Sequence, residues 1–423
     1  MENTLRIFRK LIPTKIFTAL QPIYHYKMAL LSALFYGFPS RKIKVIGVTG
    51  TKGKSSTVEM INSILEEAGY KTAVAGTIRF KIGDRSQKNL YKMTMPGRFV
   101  MQKFLHDAAK ANCDFAVIEM TSQGVLQFRH KFIYLDALVF TNISPEHIES
   151  HGSYEKYLEA KLKIAKELSN SPKKSKIVVL NADDKEYLKF QDTAKNARTV
   201  LYSLTDAEDY KTDSSESLFN FRGQDIRLPL PGVFNIYNAL AAANLAKALD
   251  VNPSAIKNGL EKINEIKGRV QKISEGQNFE VVVDYAHTID SLEKLYGAFS
   301  DKQKVCILGN TGGGRDKWKR SGMAEVADKY CRHIILVNED PYDEDPQEIV
   351  NQMKEAIKDQ SKVEIIMDRR EAIKKGIATC KEGEVLLISG KGTDPYIMIE
   401  DGKKIPWSDE NVAREELQSF LSK

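Results

Sequence analysis

The run VIGVTGTKGKSST, residues 45–57, holds the residue types that cradle phosphate. A β-branched run leads into a glycine turn and then a helix. Gly50, Thr51, Lys52, Gly53, Lys54, Ser55 and Ser56 form the turn. Glycines let backbone N–H groups close around phosphate oxygens, and a helix N-terminus adds positive potential. Lys54 would reach the β- and γ-phosphates, and Ser55 would hold Mg²⁺. The strict spacing GxxxxGK[ST] wants glycine at position 48, where this chain has Val48. A glycine turn without nucleotide is the bland alternative. The loop alone does not separate a kinase, a motor or a ligase.

Strands and helices must hold such a loop in place. Residues 44–48, 115–120, 137–140 and 176–180 read as short buried strands. Residues 55–68, 154–168 and the alanine-rich 235–249 read as helices. A second series of strands, 281–283, 305–308, 333–337, 363–366 and 384–388, alternates with helical segments. Strands alternating with helices imply parallel sheets covered on both faces. The expected fold is therefore α/β: a P-loop-type parallel-sheet central domain over 43–267, then a smaller Rossmann-like domain over 268–423. Residues 206–217 read as an exposed loop or hairpin. A basic, apolar arm occupies 1–42, where Leu11, Ile16, Phe17, Leu20, Ile23 and Tyr24 recur at roughly helical spacing. With Pro13, Pro22 and Pro39 as punctuation, the arm reads either as a pair of short packed helices or as a surface that touches lipid.

Composition bounds the partners. Apolar residues at 42% exclude global disorder. The net charge of +7 is mild for 423 residues and suits an anionic small substrate or an anionic membrane surface, not nucleic acid. Cys113, Cys306, Cys331 and Cys380 lie far apart with no CxxC pair, so neither a disulfide framework nor a zinc site is expected. A cytoplasmic location follows as the default. No cleavable signal is expected, and the longest clean apolar run, 28–38, is far short of the ~20 residues a membrane span needs.

Several segments, in order along the chain, resemble the Mur ligase family, which makes amide bonds using ATP. The loop from Gly50 to Ser55 resembles the family's GTxGK[TS]. The run EMTSQGVLQFR, 119–129, resembles its E-x-S-S-x-G-L-x-x-x-R element, and TNISPEH, 141–147, its T-N-[IL]-x-x-[DE]-H element. NADD (181–184) and FNIYNA (234–239) resemble its nucleotide-contacting elements. DYAHTIDS (284–291), GNTGGGRDKWKR (309–320) and GKG (390–392) are similar to the MurE branch, which adds the third amino acid of the peptidoglycan stem peptide.

The resemblance implies an ATP-dependent acid–amino-acid ligase working through an acyl-phosphate on a muramyl-peptide acceptor. By it, Glu119 and His147 would hold a second Mg²⁺. His147 taken alone is a structural or surface histidine. Lys161 would carry a carbamate formed with CO₂, where a lysine on a charged helical face is otherwise only solvated. Arg269 would contact ATP phosphates, Asp284 the ribose or adenine side, and Asn238 the base. ATP between two domains implies closure on binding. Thr94, Thr121, Ser122, Gln127 and Arg129 would grip the acyl substrate, though the family's Thr-Thr-Pro is Thr94-Met95-Pro96 here. His287, Glu339, Asp340, Tyr342, Gly390 and Asp394 would border the incoming amino acid.

Two departures stand out. The diaminopimelate-adding branch carries Asp-Asn-Pro-Arg where this chain has Glu339-Asp340-Pro341-Tyr342, and a tyrosine cannot form a bidentate charged fork. An acidic pocket of Glu339, Asp340, Asp343, Glu344 and Asp394 would favour a basic amino acid such as lysine. Alternatively, residues 343–345 are a solvated turn. Only 42 residues precede Ile43, where the family usually carries a UDP-binding domain, so reduced UDP contacts or a lipid-borne acceptor are expected. A monomer is expected. The alternatives are a folylpolyglutamate- or cyanophycin-synthetase-like ligase, and a non-catalytic nucleotide-binding scaffold.

Overall fold

The structure is a computed structural model; it describes residues 14–423 apart from His147 and Asp316, with side chains from Leu20 onward. The first sheet has eight strands: β1 (Lys44–Thr49), β2 (Thr72–Ala75), β3 (Arg79–Ile82), β4 (Arg85–Lys88), β5 (Phe115–Glu119), β6 (Ala137–Phe140), β7 (Ile177–Asn181) and β8 (Arg198–Tyr202). Their order is β4-β3-β2-β5-β1-β6-β7-β8. Neighbours from β2 to β8 run parallel, and β3 and β4 add an antiparallel edge.

Apart from polar residues at their ends, the central strands are apolar because helices cover both faces. Successive side chains alternate between two cores. Ile46 and Val48 of β1 and Val117 of β5 join helix α2 (Lys54–Glu67) in one core. Val45, Ala116 and Ile118 join α3 (Arg98–Lys110) in the other. The second core also takes α5 (Tyr154–Ser169), and the first takes α6 (Val233–Ala248). Between α3 and α5 lies the short α4 (Ser122–Leu126).

Residues 206–217 resolve into a hairpin. β9 (Glu208–Thr212), β10 (Ser217–Phe221) and β11 (Gln224–Leu228) form a small antiparallel sheet. The second large sheet has β12 (Gln271–Ile273), β13 (Glu280–Val283), β14 (Lys304–Leu308), β15 (His333–Leu336), β16 (Val363–Ile365) and β17 (Val385–Ile388). Its order is β12-β13-β17-β14-β15-β16, parallel except for the β12–β13 edge. Helices α7 (Arg369–Thr379) and α8 (Asp409–Leu421) close one of its faces.

Two expectations fail here. Within the described residues the arm does not break at Pro22 into two short helices: α1 runs unbroken from Thr14 to Phe35, with Pro22 inside it, and residues 1–13, with Leu11 and Pro13, lie outside the described residues. A proline deletes one intrahelical hydrogen bond without ending a helix that tertiary packing holds. Ala29, Ser32 and Ala33 are buried and fix the second half of α1. The cysteines are not all free either. Cys306 and Cys331 form a disulfide, with Cα atoms 6.2 Å apart. Cys306 lies within β14 and Cys331 just before the adjacent β15, so the sheet brings together two residues 25 apart in sequence.

Just beyond α4, His130 is buried and neither ring nitrogen has a hydrogen-bond partner. Burial, reinforced by Lys131, lowers its pKa from 6.5 to about 3. Between those values the unfolded chain binds the extra proton, so stability is lost as the pH falls through that window. His130→Leu should keep neutral-pH stability within about 1.5 kcal/mol and flatten the acid-side loss. Urea midpoints at neutral and mildly acidic pH check this.

Candidate active site

The carboxyl ends of both large sheets meet at one cleft with a volume of about 1200 Å³. Open α/β sheets bind ligands at this edge. β1 delivers the glycine loop, β5 delivers Glu119, and β6 leads into Thr141 and Asn142. From the other side, β13 leads into Asp284, and the loops after β14, β15 and β17 carry Thr311, Glu339 and Gly390.

The loop is held by close backbone approach. A Cβ on Gly50 would stand 1.9 Å from Thr141 Oγ1, and one on Gly53, where φ is +83°, 2.3 Å from Asn238 Oδ1. Thr51 N–H donates to the Asn142 carbonyl at 2.8 Å, and Lys52 N–H to Asn142 Oδ1 at 2.9 Å. Helix α2 starts at Lys54, so Ser55 and Ser56 sit in its first turn.

Two amines, the buried Lys161 and the half-buried Lys54, converge on one carbonyl. Lys54 Nζ donates to Gly50 O at 2.8 Å, and Lys161 Nζ donates to the same oxygen at 2.7 Å. Burial lowers the pKa of both. The charge of Lys54 adds to the effect on Lys161, which is pushed well below the ordinary lysine value. Lys161 comes from α5, one turn after Tyr157, whose ring lies 4.9 Å beneath its ammonium and whose hydroxyl is 2.9 Å from Thr51 Oγ1. Lys161 is therefore a lining residue of the cleft, not a solvated surface lysine.

Arg269 bridges the two halves. Its Nη2 donates to Ser55 Oγ at 3.3 Å, and its guanidinium lies 4.5 Å over the Tyr285 ring. Asp284 accepts from Val270 N–H at 2.7 Å and Ala286 N–H at 2.6 Å, so it fixes the segment that carries Arg269. Asn238 is engaged below the loop with Thr57 and Asn235. His287 Nε2 lies 3.2 Å from Glu146 Oε1, and Lys52 Nζ pairs with the same carboxylate at 2.8 Å. Burial and then Lys52 lower the pKa of His287 to about 4.

The acceptor residues gather around α4. Thr121 caps it, accepting from Gly124 N–H at 3.1 Å. Ser122 Oγ lies 3.1 Å from His151 Nε2. Arg129 Nη2 donates to Gln127 Oε1 at 2.5 Å, and its Nη1 donates to the Met95 carbonyl. Thr94 Oγ1 is 2.8 Å from Thr77 Oγ1. All five residues line the cleft.

The five-carboxylate pocket does not form. Glu344 turns away to Lys317 and Arg320, and Asp343 accepts from Asp401 N–H at 2.9 Å. Asp340 is neutralised by Lys391 at 2.8 Å and Lys92 at 2.6 Å. Against burial, those two lysines hold its pKa below the ordinary value. Carboxylates close in sequence find separate cations because each side chain relieves its own charge. Asp394 remains 3.5 Å from Lys391. Glu339 is buried, accepts from Thr311 through one oxygen, and has no partner for Oε2; burial raises its pKa. Gly390 is pressed onto that carboxylate, and Tyr342, with φ at +52°, carries the Arg315 guanidinium 4.8 Å above its ring.

The donor set around the loop fits Mg²⁺. This ion takes one or two protein oxygens and completes its shell with phosphate and water. Ser55 and Glu119 border the same cleft, with Glu119 aligned by Thr77 N–H at 2.7 Å. His147 lies outside the described residues, and among those no group of three His, Cys, Asp or Glu gathers to hold a metal.

Sequence reasoning assigned no role to Lys92, Glu146, Tyr157 or Arg315. Glu146 and Arg315 stood inside quoted motifs, and Tyr157 precedes Lys161 by four residues, so each left a local signal. Lys92 left none.

A phosphate loop at the edge of one parallel sheet, facing a second α/β unit across a lysine-lined cleft, is the arrangement of a nucleotide-dependent enzyme. The chain belongs to the Mur ligase family. It matches the Mur ligase middle domain over residues 48–246 and the Mur ligase, glutamate ligase domain over 268–392. It is similar to the UDP-N-acetylmuramoyl-L-alanyl-D-glutamate--2,6-diaminopimelate ligase of Syntrophomonas wolfei, at 34% identity over 92% of this chain and 81% of the relative. A UDP-N-acetylmuramyl-tripeptide synthetase of Roseiflexus sp. is 34% identical over the same shares. A solved UDP-N-acetylmuramoyl-L-alanyl-D-glutamate--2,6-diaminopimelate ligase superposes with a TM-score of 0.61 at 28% identity, covering 90% of this chain and 79% of the other. Mur ligases are ATP-dependent and generally use Mg²⁺, and the chain is a ligase of that kind.

Proposed function

We propose that the chain adds an amino acid to a muramyl-peptide acceptor through an acyl-phosphate, as a cytoplasmic monomer that uses ATP and Mg²⁺ and has no nucleic-acid partner. The observation that carries this reading is one cleft joining three groups. These are the Lys54–Lys161 pair, the Gln127–Arg129 cluster, and the unpartnered Glu339 oxygen on the opposite sheet.

The acceptor carboxylate lies along Thr94, Thr121, Ser122, Gln127 and Arg129. Its oxygen attacks the γ-phosphorus, the bond to the β,γ-bridging oxygen breaks, and ADP leaves. Lys54 and Arg269 lower the cost of bringing two anions together. Mg²⁺ held by Ser55 and Glu119, with His147, would supply further charge neutralisation on the phosphates. The deprotonated amine of the amino acid then attacks the acyl carbon, and inorganic phosphate leaves. Glu339 and Asp394 receive the amino-acid end of the site, beside Gly390 and His287. Asn238 and Asp284 sit on the nucleoside side. We take 43–267 and 268–423 as the two domains that close on ATP; Gly268 supports a pivot there, since its φ is +62°.

A phosphate-release assay tests this by crossing UDP-muramyl-dipeptide and a folate acceptor with a panel of amino acids, with product masses measured. Release only with the muramyl acceptor and an amino acid is expected. Release with folate would favour the folylpolyglutamate-like ligase, and no release with any amine would favour the scaffold.

Tyr342 replaces the arginine of the diaminopimelate-adding branch, so the added residue is not held by a guanidinium at that position. A clear preference for diaminopimelate over lysine in the same panel would sink this. Lys92→Met should free Asp340 and Asp394 of one countercharge. The kcat/KM ratio of lysine to a neutral amino acid should then rise about tenfold.

A further inference from the structure

Helix α1 has its large apolar residues on the wrong side for a packed helix. Against α3 it buries the small Ala29, Ser32 and Ala33. Outward it shows Leu20, Ile23, Tyr24, Leu31, Leu34 and Phe35, each at least 46% exposed. These recur at three- and four-residue spacing, which makes one stripe on a helix. Phe99 of α3 extends the stripe, its ring 6.3 Å from Phe35. Lys27 is the one charged residue among the described side chains of α1. A contiguous exposed apolar surface of this kind marks an interaction site.

The chain's net charge comes from the same stretch of sequence. Residues 1–44 hold eight Lys and Arg against one acidic residue, an excess equal to the +7 of the whole chain. Residues 45–423 are therefore balanced. An apolar stripe in a stretch of sequence rich in cations is complementary to an anionic bilayer. Nucleic acid would meet the charge and leave the stripe in water. A second copy would bring two positive surfaces face to face. Among the described residues no helix is long and apolar enough to cross a membrane, so α1 can only lie on one.

The helix also adjoins the acceptor end of the cleft. The Tyr26 ring is 6.2 Å from Phe128, which stands between Gln127 and Arg129, and 5.5 Å from Phe132. His25 feels the same end: burial first, then the charges of Arg98 and Arg129, lower its pKa.

We propose that α1 and its basic flanks rest in the surface of an anionic phospholipid bilayer, with the acceptor end of the cleft beside that surface. A membrane-borne acceptor follows only if the acceptor assignment above holds; the bilayer contact stands on α1 alone.

Co-sedimentation of the full chain with vesicles tests it. Partition onto vesicles of phosphatidylcholine mixed with phosphatidylglycerol should exceed that onto phosphatidylcholine alone by at least about tenfold at low salt. Added salt should weaken it. Leu31→Ser with Leu34→Ser, or Lys27→Glu where the double variant does not fold, should lower partition severalfold and leave the melting temperature and ATP turnover unchanged. Equal partition onto both vesicle types, no effect of these variants, or stripe-dependent dimers by light scattering without lipid would each overturn the proposal. Turnover of a soluble acceptor reads the acceptor assignment separately.

Discussion

Lys161→Ala is expected to lower ligase turnover at least about a hundredfold while leaving the fold and nucleotide binding intact. The lysine lies 2.7 Å from the Gly50 carbonyl of the phosphate loop and is almost fully buried. Burial and the neighbouring Lys54 favour its neutral amine. A neutral amine is the form that reacts with CO₂: the nitrogen attacks carbon, an N–C bond forms and one proton leaves. The product would be an anion among the cations that line the same cleft, Lys54 and Arg269 together with Lys52, which already pairs with Glu146, and those cations would offset its charge. Lys161→Arg separates the two roles this residue could have. Arginine keeps a positive charge and forms no carbamate. We expect it to be as inactive as alanine, and the unaltered enzyme to slow in CO₂-depleted buffer. An active arginine variant, together with indifference to CO₂, would show that a cation is what the site needs. ADP affinity by calorimetry keeps a folding or binding defect apart from a chemical one.

The burial of Lys161 was legible in its neighbours. Tyr157, Leu158, Ile164, Ala165 and Leu168 mark the buried face of α5, and Lys161 stands four residues after the first and three before Ile164. Helical periodicity puts it inside, although lysine as a residue type reads as surface. The central strands were legible for a similar reason, since short apolar runs such as residues 137–140 have nowhere to go but between two layers of helices. Ordered motifs put the loop and Glu119 at one edge because they end strands whose register is parallel, and Gln127–Arg129 follow β5 through the short α4.

Long-range pairing was not legible. Lys92 and Asp340 are 248 residues apart, and neither sequence neighbourhood names the other. The acidic run 339–345 therefore looked like one charged pocket, while the fold distributes it among Lys92, Lys391, Arg320 and a backbone N–H. Cys306 and Cys331 show the same limit: adjacency in a sheet follows strand order, which local spacing does not encode. Asp284 illustrates a subtler one. Its motif pointed to the nucleotide; that both its carboxylate oxygens also hold backbone N–H groups, and so position the segment carrying Arg269, could not be read from the motif.

Asp409→Leu should destabilise the second α/β unit by about 3–5 kcal/mol, the cost of leaving a buried charge unpaired. Asp409 and Arg369 are both almost wholly inaccessible and form a bidentate pair, Nε to Oδ1 and Nη2 to Oδ2, each at 2.8 Å. The pair pins the start of α8 to the start of α7. Trp407 Nε1 donates to Asp409 Oδ1 at 2.7 Å, and Arg369 Nη2 also reaches the Ser389 carbonyl at 2.8 Å, beside Gly390 of the cleft. Removing only the aspartate strands the guanidinium, whose Nη1 already has no partner. Replacing both residues, Arg369→Met with Asp409→Leu, removes charge and countercharge together and should recover most of the loss. The arginine also acts on the site, because its charge lowers the pKa of Glu339, which burial raises. The double variant should therefore regain stability in urea yet lose amino-acid affinity, since Glu339 then stays protonated to higher pH. Equal destabilisation of the single and double variants would mean that packing, not charge pairing, sets the stability of this corner.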